Sequence, residues 1–396
     1  MQIAFNGYFW GQPRTGSGQY LRHLWDALPD VAPGDNRFSL LLPPGSDLGS
    51  DVPAGGRIAR GRQLPFVGGR ASGIDKLAWE GLGVARLARR MRADVLHVPY
   101  LSAPFFTFKS CPVMVTAHDM IPWVVPGYAA SAAVKLYLRV AVACVRRADL
   151  IVADSDASRR DAINVLRVPR RKVHTVYLGM ERHPLYTPEE LAEMRSRLGL
   201  PKSYAFYLGG FDKRKNVPLL LRAWHSALPQ LEDSSEKPLL AVGGKVPEPG
   251  GVFPDVMAEA RTLGFAEAGS PVRFLGMVSE EDKPLIMAGA RLFIYPSAYE
   301  GFGLDPLEAM SVGCPVVSSS GGSLAEVVGD GGLLVPPDSE KALTDAIVRA
   351  WNGTALRDDL SARGRLRAES FIWEKTAEQT LHLYEEMHDL WSLQHG

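Results

Sequence analysis

A chain of 396 residues is too long for one ordinary hydrophobic core, so two domains are expected; 46% hydrophobic with 22% charged residues excludes a disordered or fibrous polymer. No basic-then-apolar leader opens the sequence and no apolar run approaches the roughly 20 residues that cross a bilayer, which makes a cytoplasmic protein the expectation. The net charge of zero hides an asymmetry: residues 1–200 carry 26 Lys or Arg against 17 Asp or Glu, residues 201–396 carry 18 against 27, and residues 57–92 alone carry 9 against 2. A positive first half suits an anionic acceptor, an anionic membrane surface or an acidic partner domain, with a solvated basic face as the plainer alternative. Without a recognised nucleic-acid motif beside it, the charge predicts no nucleic-acid partner. Cys111, Cys144 and Cys314 lie far apart in apolar surroundings, which predicts buried thiols and neither disulfides nor a metal site.

The first part alternates short apolar runs with helical segments. "QIAFNGY" reads as a strand, 19–29 as a helix, "FSLLLPP" as a strand and 76–91 as a basic amphipathic helix; "DVLHVPY" and "PVMVTAHD" read as buried parallel strands. A helix over 131–147, the strand "DLIVADS", a helix over 156–166 and the strand "KVHTVYLG" follow. Residues 181–203 read as a connection with a short helix, after which the pattern restarts. The second series runs "YAFYLGG", a helix over 216–228, "PLLAVGG", a helix near 254–263, "VRFLGMV", a helix near 280–289, "RLFIYPS", a helix and strand within "YEGFGLDPLEAMSVGCPVV", "GGLLVPP" and helices from about 339 and 358. From Trp373 onward Ala377, Leu381, Tyr384, Met387 and Trp391 form a stripe at roughly helical spacing. The expected fold is α/β with two Rossmann-like domains, residues 1–185 and 186–372, and a terminal helix, 373–396, docked on an apolar surface. Ligands are expected where strand-to-helix loops converge at the carboxyl ends of such sheets.

Four polar groups stand at those loop positions. Gly16 and Gly18 in "RTGSGQYLRHL" lie between a strand and a helix and fit either a tight turn or close approach of an anion to free helix amides. His118 and Asp119 in "TAHDMIP" end a strand, where the histidine can serve a sugar hydroxyl, an oxyanion or a purely structural bond. In "YLGGFDKRKN" Gly209 and Gly210 precede Arg214 and Lys215, which stand before a helix whose dipole acids would complement better; cations there suit a diphosphate, or simply a solvated loop. Finally, Glu300 and Glu308 bracket a turn, Gly301 to Gly303, expected to be exposed. Asp305, Pro306 and Glu308 fit an N-cap, a first-turn proline and an N3 acid, so a capping box accounts for Glu308 but leaves Glu300 unexplained. Alternatively the two carboxylates accept hydrogen bonds from hydroxyls at the two ends of a nucleoside diphosphate sugar.

In order along the chain, "TGSGQYLRHL", "HDMIP", "SRRDAINVLRVPRRKVHTVYLG", "YLGGFDKRKNVPLLLRAW" and the block from Val272 to Pro337 make the sequence resemble the retaining glycosyltransferases of family 4, which have the GT-B fold. The resemblance implies that Arg214 and Lys215 hold the donor diphosphate, that Glu300 contacts the donor sugar and that Glu308 holds the ribose. It places the backbone of Phe302, Gly303 and Leu304 against sugar and phosphate, His118 at the transferred sugar, Gly16 and Gly18 near the diphosphate together with the Gly210 loop, and Gly276, Met277 and Val278 at the nucleobase. It further implies a last helix crossing back to the first domain and metal-independent, cofactor-free transfer of a hexosyl or deoxyhexosyl group from a GDP-, UDP- or dTDP-linked donor. Acceptors in keeping with it are a glycan, a lipid-linked sugar or a small molecule in polysaccharide or glycoconjugate synthesis. "PYLSAPFFTF", the Trp123 loop and the basic 57–92 region are expected on the acceptor side, with peripheral contact to the inner face of a membrane as an extension. Asp305 departs from the family pattern, in which a small residue or proline is frequent. The competing classes are a sugar-nucleotide epimerase of the same shape and a non-catalytic carbohydrate-binding protein. A phosphorylase would carry a pyridoxal lysine, and an oxidoreductase would need the complete dinucleotide fingerprint, which the GxG at Gly16 lacks.

Overall fold

A computed structural model describes the chain except for residues 14, 47, 49–55, 62–72, 105–109, 129–130, 233–236, 266, 268 and 396, and the side chains of 73 and 74. The chain divides into two units: unit 1 comprises Met1–Val124, Ala129–Gly179 and Ile372–Gly396, and unit 2 comprises Val125–Tyr128 and Met180–Phe371.

Unit 1 contains, in chain order, β1 (Gln2–Asn6), α1 (Gly16–Val31), β2 (Arg37–Leu42), β3 (Arg57–Arg60), α2 (Gly73–Ala78), a π-helical turn (Trp79–Gly83), α3 (Val84–Arg90), β4 (Val95–Val98), β5 (Val113–Ala117), α4 (Ile121–Val124), α5 (Ala132–Val145), β6 (Leu150–Ala153), α6 (Asp156–Leu166) and β7 (Val173–Thr175). The strands form one parallel sheet in the order β3-β2-β1-β4-β5-β6-β7. Its central strands read as continuous apolar runs because both faces are covered: β4 and β5 are buried throughout. Side-chain caps set the helix starts. Thr15 accepts from the Gly18 amide at 3.2 Å, which begins α1 three residues before its apolar stripe does, and Ser155 accepts from the Ser158 amide at 3.0 Å to begin α6.

Unit 2 contains α7 (Pro188–Leu198), β8 (Tyr204–Leu208), a 3₁₀ turn (Lys213–Lys215), α8 (Val217–Ala227), β9 (Leu239–Gly243), α9 (Val256–Thr262), β10 (Val272–Gly276), α10 (Asp282–Gly289), β11 (Leu292–Tyr295), α11 (Leu304–Ser311), β12 (Val316–Ser319), α12 (Leu324–Val328), β13 (Gly332–Val335), α13 (Glu340–Asn352) and α14 (Thr354–Ala368). Its six strands are also parallel, in the order β10-β9-β8-β11-β12-β13. Thr187 and Glu190 form the capping box that starts the connecting helix α7. The last helix, α15 (Trp373–His395), belongs to unit 1 and packs on α1 and β4. Ala377, Leu381, Tyr384 and Met387 of the predicted stripe are buried, while Trp391 is half-buried and stacks on His395. The Tyr384 hydroxyl meets His97 Nδ1 at 2.6 Å, and Thr376 donates to the Tyr177 carbonyl at 2.8 Å. Two parallel sheets wrapped by helices, with the final helix returned to the first unit, make the GT-B architecture.

Several details differ from the pattern-based expectation. The helix expected over 76–91 is interrupted by the π turn, and residues 57–60 add an edge strand inside what reads as a basic stretch. The helix expected from 358 begins at Thr354, and α12 is an additional short helix. Cys111 and Cys314 are buried as expected, whereas Cys144 is half-buried. Most of "PFFTF" and residues 62–72 of the basic stretch lie outside the described residues.

Candidate active site

In a doubly wound sheet, side chains converge where the strand order reverses, because the loops leaving the two central strands run to opposite faces. In unit 2 that point lies between β8 and β11. The β8 loop carries Gly209 and Gly210, whose carbonyl accepts from the Tyr207 hydroxyl at 2.6 Å, and then turns through the 3₁₀ segment bearing Arg214 and Lys215. The β11 end supplies Tyr295, and the following loop supplies Ser297 and Glu300.

These residues form one cluster. The Glu300 carboxylate accepts from Arg214 Nη1 at 2.5 Å, Lys215 Nζ at 2.7 Å and Ser297 Oγ at 2.6 Å. Arg214 Nη1 also donates to the Tyr299 carbonyl at 3.1 Å, and its Nε faces Asp212 Oδ1 at 3.4 Å. Lys215 Nζ donates to the Tyr295 hydroxyl at 2.5 Å, which itself lies 3.0 Å from Glu300 Oε1 and 2.9 Å from Asp305 Oδ2. Arg214, Lys215 and Glu300 side chains are only 12, 10 and 10% exposed, so their charges interact through little water. Burial alone would raise the Glu300 pKa, but Lys215 and Arg214 outweigh it and the net shift is downward: Glu300 is a carboxylate at neutral pH. Arg214 is likewise stabilised as a cation, Glu300 and Asp212 overcoming the cost of burial. Asp212 reaches outward as well, accepting from the Tyr128 hydroxyl contributed by the Val125–Tyr128 segment of the same unit.

Glu308 stands beside this cluster rather than in it. Lys283 of α10 donates to Glu308 Oε1 at 3.0 Å and also pairs with Glu280 at 3.1 Å. The capping-box interpretation therefore fails. Gly303, at φ 105°, occupies the position before α11, a backbone region that L side chains rarely adopt, and it provides no side-chain cap; Asp305 instead accepts from Tyr295. A Cβ at Gly303 would also sit 2.7 Å from Leu324 Cδ2. The turn expected to be exposed is buried from Gly301 to Gly303, with the Phe302 ring packed edge-on against Phe371 at 5.8 Å. Burial pushes the Glu308 pKa up to about 7, Asp305 adding to the rise and Lys283 opposing it.

The remaining predicted site residues are placed as follows. Gly276, with φ 70°, ends β10 and Met277 and Val278 follow it; Met277 is 66% exposed, and the Gly276 carbonyl accepts from the Gly244 amide at 2.8 Å beside the end of β9. Leu304 is the first residue of α11. In unit 1 the two glycines of the α1 start separate. A Cβ on Gly18 would lie 2.2 Å from the Gln12 carbonyl oxygen, so close packing accounts for it, whereas nothing lies within 4 Å of a Cβ on Gly16. His118 follows β5, its Nδ1 2.7 Å from Asp154 Oδ2 and its Nε2 3.0 Å from the Pro99 carbonyl. Burial works to lower the His118 pKa, yet Asp154 and the Pro99 carbonyl more than compensate and raise it. Asp119 accepts from the Ile121 amide at 2.9 Å and so starts α4. Among the described residues no group of three or more His, Cys, Asp or Glu is arranged to hold a metal ion. Sequence patterns alone left Tyr295, Ser297, Lys283 and Tyr128 unassigned. For Tyr295 the available signal was its place as the last residue of a strand beside the reversal point.

Residues 202–352 match the model of glycosyl transferases group 1, and residues 16–182 match that of Glycosyltransferase Family 4. The O-antigen chain mannosyltransferase B of Escherichia coli is 34% identical over 271 residues, covering 68% of this chain and 69% of that protein. The chain belongs to glycosyltransferase family 4. As a GT-B member of that family it is an enzyme that transfers a sugar from a nucleotide-sugar donor. A D-inositol 3-phosphate glycosyltransferase from Nocardioides sp. (strain ATCC BAA-499 / JS614) is 34% identical over 248 residues, 61% of this chain and about half, 54%, of that relative. The structure of sucrose-phosphate synthase from Thermosynechococcus elongatus aligns with TM-score 0.74 at 22% identity, covering 98% of this chain and all of that one, a likeness of fold.

Proposed function

We propose that this family 4 glycosyltransferase moves a hexosyl or deoxyhexosyl group from a nucleoside diphosphate sugar to an acceptor hydroxyl with retention of anomeric configuration, in polysaccharide or glycoconjugate synthesis. The observation that carries the reading is the pair of buried cations, Arg214 and Lys215, held together at the strand-order reversal of unit 2. As the bond from the anomeric carbon to the phosphate oxygen breaks, negative charge gathers on the diphosphate, and two preorganised cations in a site with little water stabilise it. The acceptor oxygen then bonds the anomeric carbon on the same face, and its proton passes to the departing phosphate oxygen, so no protein nucleophile is needed. Glu300 and His118 orient the transferred sugar, Glu308 holds the ribose hydroxyls and the backbone from Phe302 to Leu304 faces sugar and phosphate. The segment from Gly276 to Val278 meets the base, while Gly210 and the open face at Gly16 flank the diphosphate.

The names of the two curated relatives point to two acceptor classes, a growing glycan chain and a phosphorylated polyol. The excess of basic residues in the first half suits either, and with it we propose a cytoplasmic enzyme in peripheral contact with an anionic membrane surface. No helix among the described residues is long and apolar enough to cross a membrane. Co-sedimentation with phosphatidylglycerol vesicles at low salt tests the membrane contact, and recovery of all protein in the supernatant removes it. For the central reading, UDP-, GDP- and dTDP-sugars are crossed with acceptor extracts and products are read by mass spectrometry and anomeric NMR. Transfer with inversion, or equal turnover by the Lys215→Ala protein, defeats the mechanism.

A further inference from the structure

The Tyr295 hydroxyl has one proton and two carboxylates within reach, and counting lone pairs decides which receives it. Glu300 Oε1 already accepts from Ser297 at 2.6 Å and Lys215 at 2.7 Å, which fills its two in-plane lone pairs. Asp305 Oδ2, 2.9 Å away, is the open acceptor, so in the free protein the proton lies toward Asp305. Both cations are turned onto Glu300. A diphosphate that takes Lys215 from Glu300 leaves a buried carboxylate short of a donor, a loss that carries a large penalty.

The geometry points to Tyr295 as a positioning residue that exchanges partners: when a nucleoside diphosphate takes Lys215 from Glu300, the Tyr295 hydroxyl rotates its proton from Asp305 to Glu300 Oε1 and keeps that carboxylate ionised and oriented. The proposal rests on the donor-site reading of the same cluster. Nothing covalent changes; the proton stays on the phenolic oxygen and only the C–O torsion turns. The ring is locked for this by stacking on Tyr207 at 6.3 Å and Phe293 at 5.9 Å, so the hydroxyl rotor is the part left to move. Burial and the neighbouring carboxylates hold the phenol well above its ordinary pKa, which keeps the proton on it at any working pH. Asp305 is then the acceptor that receives the proton while the site is empty. Its charge opposes an incoming anion, and its claim on the Tyr295 proton favours the unliganded arrangement.

The test is calorimetric titration of the full chain with UDP, GDP and dTDP, and with the corresponding monophosphates. Tyr295→Phe keeps the ring and removes the rotor; it is expected to weaken the best-bound diphosphate about threefold, the excess of the bond to Glu300 in the liganded site over the bond to Asp305 that it also removes from the empty one, and to change its monophosphate little. Asp305→Ala, with no acceptor in the empty state, is expected to tighten the diphosphate about threefold or more, and the gain should shrink in the Tyr295→Phe background, where only the loss of charge acts. Equal loss for mono- and diphosphate, or the same Asp305→Ala gain in both backgrounds, overturns the exchange and leaves packing or plain charge as the cause. Should Tyr295→Phe melt too early to titrate, Asp305→Asn decides: it retains an oxygen acceptor without the charge and should recover less of the gain than Asp305→Ala, whereas an equal gain shows that charge alone acts. A parent protein that binds none of the three diphosphates removes the donor-site reading and this proposal with it, a result distinct from tight binding without coupling.

Discussion

The two sheets share a topology and differ in the chemistry at their reversal points. Between β1 and β4, Asn6 is buried and neutral: it donates to the Tyr100 hydroxyl at 2.8 Å and accepts from Trp79 Nε1 at 2.9 Å. The rings of Tyr8, Phe9 and Tyr100 gather there, with the Lys76 ammonium over them at 5.4, 5.6 and 5.8 Å. Between β8 and β11, by contrast, two cations and their acidic partners are packed within direct contact. Aromatic faces suit apolar sugar ring surfaces and paired buried cations suit a diphosphate, so under the proposed function the first is the acceptor side and the second the donor side. Topology supplies a place for a ligand twice, and the residues at the loop ends determine which ligand each place takes.

The largest effect that can break this comparison is on turnover. Lys215→Ala should lower kcat about 100- to 1000-fold, the range for removing one preorganised donor to developing charge, with far less change in acceptor KM. Lys76→Ala should do the reverse, leaving nucleoside diphosphate affinity as it was while raising acceptor KM. Steady-state kinetics on both variants reads the split; a common fall in kcat for the two lysines would erase the distinction.

A smaller effect separates packing from ligand contact within unit 1 itself. Gly18→Ala drives a methyl into the Gln12 carbonyl and should cost about 1–3 kcal/mol by urea unfolding, whereas Gly16→Ala meets open space and should stay within about 0.5 kcal/mol. If Gly16 approaches the donor, its variant loses nucleotide-sugar turnover at unchanged stability. Equal destabilisation by both would mean that the GxG is a turn and nothing more.

These contrasts also show which features the chain wrote locally. The parallel strands, the terminal helix and the placement of Arg214, Lys215 and Glu300 on loops after strands of unit 2 were legible because each rests on a contiguous pattern: apolar runs of strand length, a helical stripe, and loop charges at strand ends. The partners of Glu308 and Glu300 were not. Lys283 precedes Glu308 by 25 positions on another helix, and the Tyr295 hydroxyl is disguised as one more aromatic residue in "LFIY". The capping box looked right because Asp305, Pro306 and Glu308 have the proper spacing, but Gly303 adopts the left-handed backbone that begins α11 and frees Asp305 for Tyr295. Similarly β3, only four residues with two arginines, offers too little periodicity to be seen without the neighbouring β2.

The smallest expected effect is a pH dependence in which a group from each unit opposes the other. Glu308, buried beside Asp305, has its pKa pushed up to about 7 from 4.5, so the folded protein holds that proton more tightly than the unfolded chain; its ionisation costs stability progressively as pH rises from about 4.5 through about 7. His97, buried against Tyr384 and Thr116, goes the other way: burial, with His118 adding, lowers its pKa to about 3 from 6.5, and its contribution is full above 6.5 and lost as pH falls toward 3. Between pH 7 and 5 the two slopes partly cancel in the parent protein. Urea unfolding across that range should show a steeper acid-side loss in Glu308→Gln, which keeps only the histidine slope, and a gain on acidification in His97→Gln, which keeps only the carboxylate slope. Ligand binding distinguishes the two groups once more. On the proposed reading ionised Glu308 accepts from both ribose hydroxyls, so nucleoside diphosphate affinity should rise a few-fold between pH 6 and 8 and lose that rise in Glu308→Gln, while His97→Gln should leave it intact; a rise that persists in Glu308→Gln would assign it to the phosphate of the ligand and take the ribose away from Glu308.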